Sequence, residues 1–364
     1  MSWTVADLNF MQEVHRLAKS TEGRTTPDPM VGAVLVKNGK IISKGFHGEV
    51  KTAHAEAWAI KKAKVQAKGS TLYINLEPCC HYGNNPPCAD LIVSHEIAEV
   101  VASMKDPNPL VNGQGFDKLR KHGVKVRVGL LEKEAKKLNE VFVKYITQKK
   151  PFVVLKSVMT LDGKIATKTG ASRWVSGPQT LKFAHHLRNV YDAILVGVGT
   201  ILIDNPRLTT REVKLVKNPI RIVLDTEAKT PLSAKVLSPS ARTIIVVGPK
   251  AAKKRCEGLA MRGAEILKVP TSKGKISLKA LVKKLGEEKI TSLLVEGGGE
   301  VNASFLEAGL VDKAHFVFAP KIFGGRNAKT GVEGEGVRLP AQAIMLKGVE
   351  QEKLGDDFLI SGYF

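Results

Sequence analysis

Short apolar, β-branched runs alternate with helical stretches along the whole chain, the order that α/β folds require. Residues 31–36 and 40–45 read as strands joined by Asn38-Gly39, a pair favoured in tight hairpins because it tolerates positive φ. The pattern then predicts a helix over 54–67, a strand over 71–76, a helix opening near Cys88, strands over 99–103 and 125–128, and a helix over 132–147. Polar Gln148-Lys149-Lys150-Pro151 interrupts it, and proline disfavours helix at the residue before it, so domains of 1–148 and 151–364 are expected. Beyond the interruption the alternation restarts, with strands over 152–157, 193–198, 220–224, 243–247 and 292–295 and a helix near 178–189. No repeat of fixed period and no low-complexity tract occurs, so the simplest architecture is two unrelated α/β domains in tandem.

Length and composition agree with that division. The 364 residues exceed what one hydrophobic core usually organises, and 43% hydrophobic with 25% charged residues leaves no case for long disorder. Residues 1–10 lack the basic-then-apolar pattern of a secretory leader, and no run approaches the roughly 18 to 20 apolar residues of a membrane helix. A cytoplasmic protein with no membrane partner is expected. The net charge of +21 raises nucleic-acid binding as a possibility, but the basic residues fall in short scattered groups such as Lys61-Lys62, Lys136-Lys137 and Lys253-Lys254-Arg255. With aromatic residues at only 5%, stacking platforms are few. A solvated basic surface that tolerates phosphorylated ligands, with no nucleic-acid partner, is the simpler reading.

Three of the four cysteines, Cys79, Cys80 and Cys88, crowd into ten positions, which suits a metal or catalysis better than a disulfide framework, and Cys256 stands apart. His54-Ala55-Glu56 opens one predicted helix, and Pro78-Cys79 closes a strand shortly before the helix that opens at Cys88. One imidazole and two thiolates leave a tetrahedral zinc a fourth, open position, as a catalytic site requires. Glu56, two residues from the histidine, is placed to accept and return a proton. His-x-Glu alone is usually a surface or core accident, and clustered cysteines alone would equally suit a structural zinc clip. In this order, with proline before the first cysteine, they match the zinc-deaminase signature except that Cys79 and Cys88 are nine apart rather than three.

That long loop, Cys79-Cys80-His81-Tyr82-Gly83-Asn84-Asn85-Pro86-Pro87-Cys88, resembles the deaminase half of the bifunctional riboflavin-biosynthesis deaminase/reductase family. Further matches are Thr26-Pro27-Asp28-Pro29-Met30-Val31-Gly32, Gly45-Phe46-His47, Leu76-Glu77-Pro78-Cys79 and Asp106-Pro107-Asn108-Pro109-Leu110-Val111, and the resemblance spans essentially the whole chain. It implies an N-terminal cytidine-deaminase-like α/β domain followed by a dihydrofolate-reductase-like α/β domain. It implies Zn2+ on His54, Cys79 and Cys88, with Cys80 not a ligand, Glu56 as the proton shuttle, and Asp28, His47 and His81 facing the substrate. The implied reaction is hydrolytic removal of the ring amino group of a diamino-ribosylamino-pyrimidinone 5′-phosphate. Three positions depart from the family pattern: Asp28 replaces an asparagine, Asn84-Asn85 replace a basic residue and a threonine, and Trp58 stands where histidine is frequent. A carboxylate gained and a cation lost are expected to weaken binding of a phosphorylated substrate.

The second half carries Lys156-Ser157-Val158-Met159-Thr160-Leu161-Asp162-Gly163-Lys164, Ser172-Arg173-Trp174, Gly197-Val198-Gly199-Thr200, Asp204-Asn205-Pro206-Arg207-Leu208-Thr209 and Val295-Glu296-Gly297-Gly298-Gly299. A glycine-rich turn from strand to helix lets a pyrophosphate approach backbone N–H groups, although glycines alone also make ordinary tight turns. G-x-G-x-x-G is absent, so this is not a Rossmann domain by motif. These segments resemble the riboflavin-pathway reductases, which implies NADPH as cofactor. By that resemblance Val158, Trp174, Thr200, Asp204, Thr226 and the turn Gly298, Gly299, Glu300, Val301, Asn302, Ala303 and Ser304 border the cofactor. Ser172, Arg188, Leu208, Arg211 and Glu296 face the substrate, Lys156 and Glu296 assist ring opening and proton transfer, and the two arginines suit the phosphate. A homo-oligomer is implied as well.

Two other readings remain open from sequence. One is a nucleic-acid deaminase with a basic accessory domain, which the zinc signature and the charge suggest and the long cysteine loop opposes. The other is a reductase beside a catalytically silent zinc module, which Asp28 and Asn84 suggest.

Overall fold

The computed structural model describes residues 2–82, 86–213 and 217–364, and its chain divides into two compact units, Met1–Lys149 and Lys150–Phe364. The first unit runs α1 (Val5–Lys19), β1 (Gly32–Lys37), β2 (Lys40–Phe46), α2 (Ala55–Ala63), β3 (Thr71–Leu76), α3 (Cys88–Ser94), β4 (Glu99–Met104), α4 (Gln114–Lys121), β5 (Lys125–Val128), α5 (Glu132–Leu138) and α6 (Glu140–Gln148). Its five strands lie in the order β2-β1-β3-β4-β5, with β1 antiparallel to both neighbours and β3, β4 and β5 parallel. Strand alternation sends Ala33, Leu35, Leu72 and Ile74 to the face covered by α2 and α3. Val34, Val36, Tyr73 and Val101 turn to the other face, against Met11, Val14 and Leu17 of α1. Burial on both faces explains why these strands read as continuous apolar runs.

The second unit runs β6 (Phe152–Thr160), α7 (Pro178–Val190), β7 (Ala193–Gly197), α8 (Val198–Asp204), β8 (Ile220–Leu224), β9 (Thr243–Val247), α9 (Lys253–Met261), β10 (Glu265–Lys268), β11 (Thr271–Ser272), β12 (Lys275–Ile276), α10 (Leu278–Glu287), β13 (Ser292–Val295), α11 (Gly299–Glu307), β14 (Lys313–Ala319), β15 (Lys347–Leu354) and β16 (Asp357–Tyr363). Nine of these strands form one sheet in the order β10-β9-β8-β7-β13-β6-β14-β16-β15, parallel as far as β14 and closed by the antiparallel β16 and β15. Cores lie on both faces, one built on Leu155, Leu195 and Leu293 and the other on Ile194, Val196 and Val223.

Where the elements differ from the sequence pattern, a local cause is visible. The helix expected over 54–67 ends at Ala63 because Lys64 takes φ 52, and a short 3-10 turn finishes the segment. The helix expected over 132–147 is two helices, broken at Asn139. The buried Asn139 amide accepts from the Met30 N–H at 2.8 Å and donates to the Met30 carbonyl at 3.0 Å, so the break anchors the Asp28-Pro29-Met30 turn. The strand over 193–198 stops at Gly197, where α8 begins, and the strand over 152–157 continues to Thr160. Helix α1 is fixed by a capping box between Thr4 and Asp7 and by apolar residues at helical spacing. No helix among the described residues is long and apolar enough to cross a membrane.

Candidate active sites

In the first unit, the polar site grows from the carboxyl end of β3 and the starts of α2 and α3. Gly45 makes the approach of α2 possible, since a Cβ there would stand 2.1 Å from the Ala55 carbonyl and 2.7 Å from the Ala59 nitrogen. With α2 seated on β2, its N-cap residue His54 faces Cys79, three residues beyond β3, and Cys88, the first residue of α3. The three ligand atoms lie within 4.8 Å of one another, the one such group among the described residues. His54 Nδ1 is 3.2 Å from Cys88 Sγ and 3.6 Å from Cys79 Sγ. Tetrahedral zinc with bonds of roughly 2.0 to 2.3 Å separates neighbouring ligand atoms by about 3.5 Å, so the donor set and its spacing fit that ion. Cys80 turns away, its thiol towards the Leu110 carbonyl at 3.8 Å.

The two thiols are driven apart: the hydrogen bond with Cys79 and burial push Cys88 well above its usual range, while Cys79 is held low. The hydrogen bond with Cys88 and the neighbouring His54 hold the Cys79 thiol well below its usual range, and the Cys88 backbone N–H donates to Cys79 Sγ at 3.3 Å. Contact with Cys79 pushes His54 up to about 9. Glu56 is 3% exposed beside them, and burial raises its carboxyl above the ordinary range.

Asp28 and His47 form the rim. His47 is buried, its ring edge-on to His54 at 5.5 Å, with Nδ1 3.4 Å from the Ala53 carbonyl and Nε2 3.4 Å from Asp28 Oδ2. His81 keeps a buried Nδ1 that has no hydrogen-bond partner among the described residues. Asn84 and Asn85 lie outside the described residues. Trp58 is partly exposed on α2, one helical turn after His54, with the Lys61 and Lys62 ammonium groups over its ring.

Glu77 is a participant that the motif reading leaves without a role. Its buried carboxylate accepts from the backbone N–H groups of Asp106, Gly113, Gly115 and Phe116, at 2.9 to 3.3 Å. It therefore caps α4 from another element and fastens the 106–113 loop beside Cys79. The available signal is an acidic residue ending an otherwise apolar strand. Like-charged Glu77 is also one reason, after burial, that Asp106 rises to about 7.

The second unit gathers an ionic triad on its sheet. Lys156 on β6 and Glu296 just beyond β13 lie one residue past the paired Leu155 and Val295, and α7 brings Arg188 over them. Arg188 grips Glu296 with two hydrogen bonds, 3.2 Å from Nε and 2.6 Å from a terminal nitrogen, and Lys156 Nζ is 3.5 Å from the same carboxylate. Burial opposes the charge on Glu296, but Arg188 and Lys156 overcome it and hold the carboxyl at about 2. Burial lowers Lys156 from its usual value.

The remaining positions expected at the second site fall into smaller groups. Val158 follows Lys156 on the same strand face. Ser172 Oγ donates to Asp204 at 3.0 Å, Arg173 donates to the Asp204 carbonyl, and Trp174 is exposed. Thr200 lies within α8, and the Thr226 carbonyl accepts from Gly248 at 3.0 Å. Leu208 is buried, and Arg211, though exposed, donates to Thr209 Oγ1 at 3.1 Å.

Gly298 and Gly299 open α11, which has no side-chain cap, and open space surrounds the Cβ position of Gly298. A Cβ on Gly299 would meet Glu333 Cγ at 2.5 Å and the Thr330 carbonyl at 2.6 Å, so glycine lets the 330–333 strap cross the helix start. Uncapped N–H groups beside bare glycines suit a phosphate, which fits the pyrophosphate of a dinucleotide. Within α11, Glu300 pairs with Lys275, Ser304 Oγ donates to the Glu300 carbonyl, Val301 is half-buried, and Asn302 and Ala303 are buried. Asn302 donates to the Gly331 carbonyl at 2.8 Å, tying the strap down, while its Oδ1 has no partner among the described residues. An apolar cavity of about 420 Å³, bounded by Met159, Phe316, Phe318 and Val332, lies on the sheet face opposite Lys156, away from the titratable groups.

Comparison with known proteins adds the following. Residues 4–104 match the family model described as cytidine and deoxycytidylate deaminase zinc-binding region, and residues 151–360 match that of the RibD C-terminal domain. The riboflavin biosynthesis protein RibD of Actinobacillus pleuropneumoniae is 42% identical, covering 98% of this chain and 95% of its own. That of Aquifex aeolicus is 44% identical over 97% of each. Among solved structures, Acinetobacter baumannii RibD superposes with a TM-score of 0.89 at 32% identity, covering 98% of both chains. A Thermotoga maritima diaminohydroxyphosphoribosylaminopyrimidine deaminase/5-amino-6-(5-phosphoribosylamino)uracil reductase superposes at 0.85 with 38% identity and the same coverage.

Proposed function

The chain belongs to the RibD family of bifunctional riboflavin-biosynthesis enzymes, a zinc-binding deaminase joined to an NADPH-dependent reductase, and from that premise we propose how its residues divide the work. The two reactions are hydrolytic deamination of the 2,5-diamino-6-ribosylamino-pyrimidinone 5′-phosphate and reduction of the ribosyl group to ribityl, giving 5-amino-6-ribitylamino-uracil 5′-phosphate. In this reading residues 1–148 carry the first and residues 151–364 the second.

His54, Cys79 and Cys88 would hold the zinc, which would supply Lewis acidity towards water at neutral pH. Glu56 accepts a proton from the attacking water, and as the ring C–O bond forms and the C–N bond breaks it delivers that proton to the departing nitrogen, which leaves as ammonia. Asp28, His47 and His81 line the approach of the substrate.

When bound beside the opened sugar, NADPH would supply the hydride that C1′ needs. Lys156 hands a proton to the ring oxygen as the sugar opens. Glu296, gripped by Arg188 and strongly acidic, is a poor proton carrier, so its part is to orient the Lys156 ammonium. Arg188 and Arg211 receive the substrate phosphate, with Ser172 and Leu208 beside them. Val158, Trp174, Thr200, Asp204, Thr226 and the Gly298, Gly299, Glu300, Val301, Asn302, Ala303 and Ser304 turn border NADPH. Cytoplasmic location, homo-oligomeric assembly and no nucleic-acid partner complete the reading. The short, scattered basic groups speak against a nucleic-acid partner.

The observation that carries the deaminase assignment is the convergence of His54, Cys79 and Cys88 beside a buried carboxylate. Assaying the two half-reactions separately tests it. Reduction without deamination would favour a silent zinc module.

A further inference from the structure

His185 has no role in the reactions as assigned above, yet it lies three residues before Arg188 on α7 and is 0% exposed. Its Nδ1 is 3.2 Å from the backbone nitrogen of Arg211. A backbone amide only donates, so Nδ1 is the acceptor and the ring proton resides on Nε2. Burial first, then the positive charges of Arg188 and Arg211, lower His185 to about 4, against weaker pulls from Glu212 and Glu296. The ring is therefore uncharged at any ordinary working pH, and a cation there would face two guanidiniums.

The bond reaches a segment without regular secondary structure, residues 208–211, where Leu208 takes φ 53. Thr210 is held by Asn218 and by the Lys217 carbonyl, and Lys217 is held in turn by Asn189 Oδ1 of α7 at 2.8 Å. Helix α7 thus grips this stretch at two points, Asn189 on Lys217 and His185 on Arg211 itself. His185 Nε2 has no hydrogen-bond partner among the described residues. An orphaned buried donor is a standing cost, and a leucine would fill a similar space without it.

We propose that His185 is a positioning residue of the reductase half, whose Nδ1 ties the Arg211 backbone to the helix carrying Arg188 so that both guanidiniums meet the same phosphate. The inference rests on the assignment of those two arginines to the substrate phosphate. His185→Leu removes the acceptor, whereas His185→Asn returns an acceptor oxygen close to the position of Nδ1.

The test is steady-state reduction of the deaminated phosphorylated substrate by the full chain, with Arg211→Met as a reference. His185→Leu should raise the substrate KM about tenfold, the scale of a lost contact with a charged group, while kcat and the NADPH KM stay within about twofold. His185→Asn should recover most of that loss. Equal damage to kcat, substrate KM and NADPH KM, with no recovery by asparagine, would overturn the proposal in favour of simple packing. So would an unchanged substrate KM in His185→Leu when Arg211→Met raises it. If Arg211→Met leaves the KM unchanged, the phosphate assignment fails first and takes the proposal with it.

Discussion

The deaminase unit assembles its reactive groups from the ends of elements, and the reductase unit builds them into the floor of its sheet. His54, Cys79 and Cys88 sit at a helix N-cap, past a strand end and at a helix start, held by backbone contacts such as the Cys88 N–H on Cys79. Lys156, Arg188 and Glu296 are largely but not fully buried and hold one another by charge, with side-chain exposures of 11%, 14% and 7%. A metal set tolerates separate anchoring because the ion itself completes the geometry. An ionic triad must be complete without ligand, since removing one member leaves an uncompensated buried charge.

The comparison breaks most visibly at the metal. Cys88→Ala should lose zinc from about one per chain and abolish deamination while reduction of a deaminated substrate continues, and Cys80→Ser should keep its zinc. Metal analysis with both assays checks this; undiminished zinc in Cys88→Ala, or a large loss in Cys80→Ser, means the wrong cysteine has been chosen. Glu56→Gln comes next, with zinc and fold retained and deamination at least about a hundredfold slower. Near wild-type turnover would place the proton shuttle elsewhere.

A smaller effect sharpens the reductase side of the contrast. Glu296 is depressed from 4.5 to about 2 in the fold, so its contribution is fully present above the ordinary value and is lost as pH falls towards 2. The stability gap between wild type and Glu296→Gln should therefore be widest near neutral pH and close between about pH 4.5 and 2, read from the urea midpoint. A gap that widens in acid would contradict the triad. The smallest effect concerns Asp28, which is 41% exposed and already faces His47. Asp28→Asn should lower the deaminase KM by no more than about threefold with kcat unchanged, because solvent screens a carboxylate this exposed. A tenfold drop would show that His47 does not offset this carboxylate.

The same contrast explains what the sequence discloses. Zinc ligands are legible because chemistry restricts them to a few residue types at short spacings, as in His54-x-Glu56 and Pro78-Cys79. The strands over 71–76, 243–247 and 292–295 are legible because burial on both faces leaves nearly unbroken apolar runs. Lys156 and Glu296 are separated by 140 positions and become neighbours only through β6–β13 pairing, which no local pattern encodes. Resemblance, not spacing, brings them to notice. His185 and Glu77 are harder still, since each acts by accepting backbone N–H groups from distant segments. The break at Asn139 is hidden for the same reason, because its cause lies at Met30.

In the proposed division the two chemistries are independent, each confined to its own constellation. Product mass after incubation of the phosphorylated diaminopyrimidine with wild type, Glu56→Gln and Lys156→Met, with and without NADPH, tests that most directly. Wild type should exchange an amino group for oxygen without NADPH and gain two further hydrogens with it. Lys156→Met should stop at the deaminated product, and Glu56→Gln should leave the starting material but still reduce a substrate deaminated beforehand. Loss of deamination in Lys156→Met, or failure of Glu56→Gln to reduce the substrate deaminated beforehand, would contradict the division.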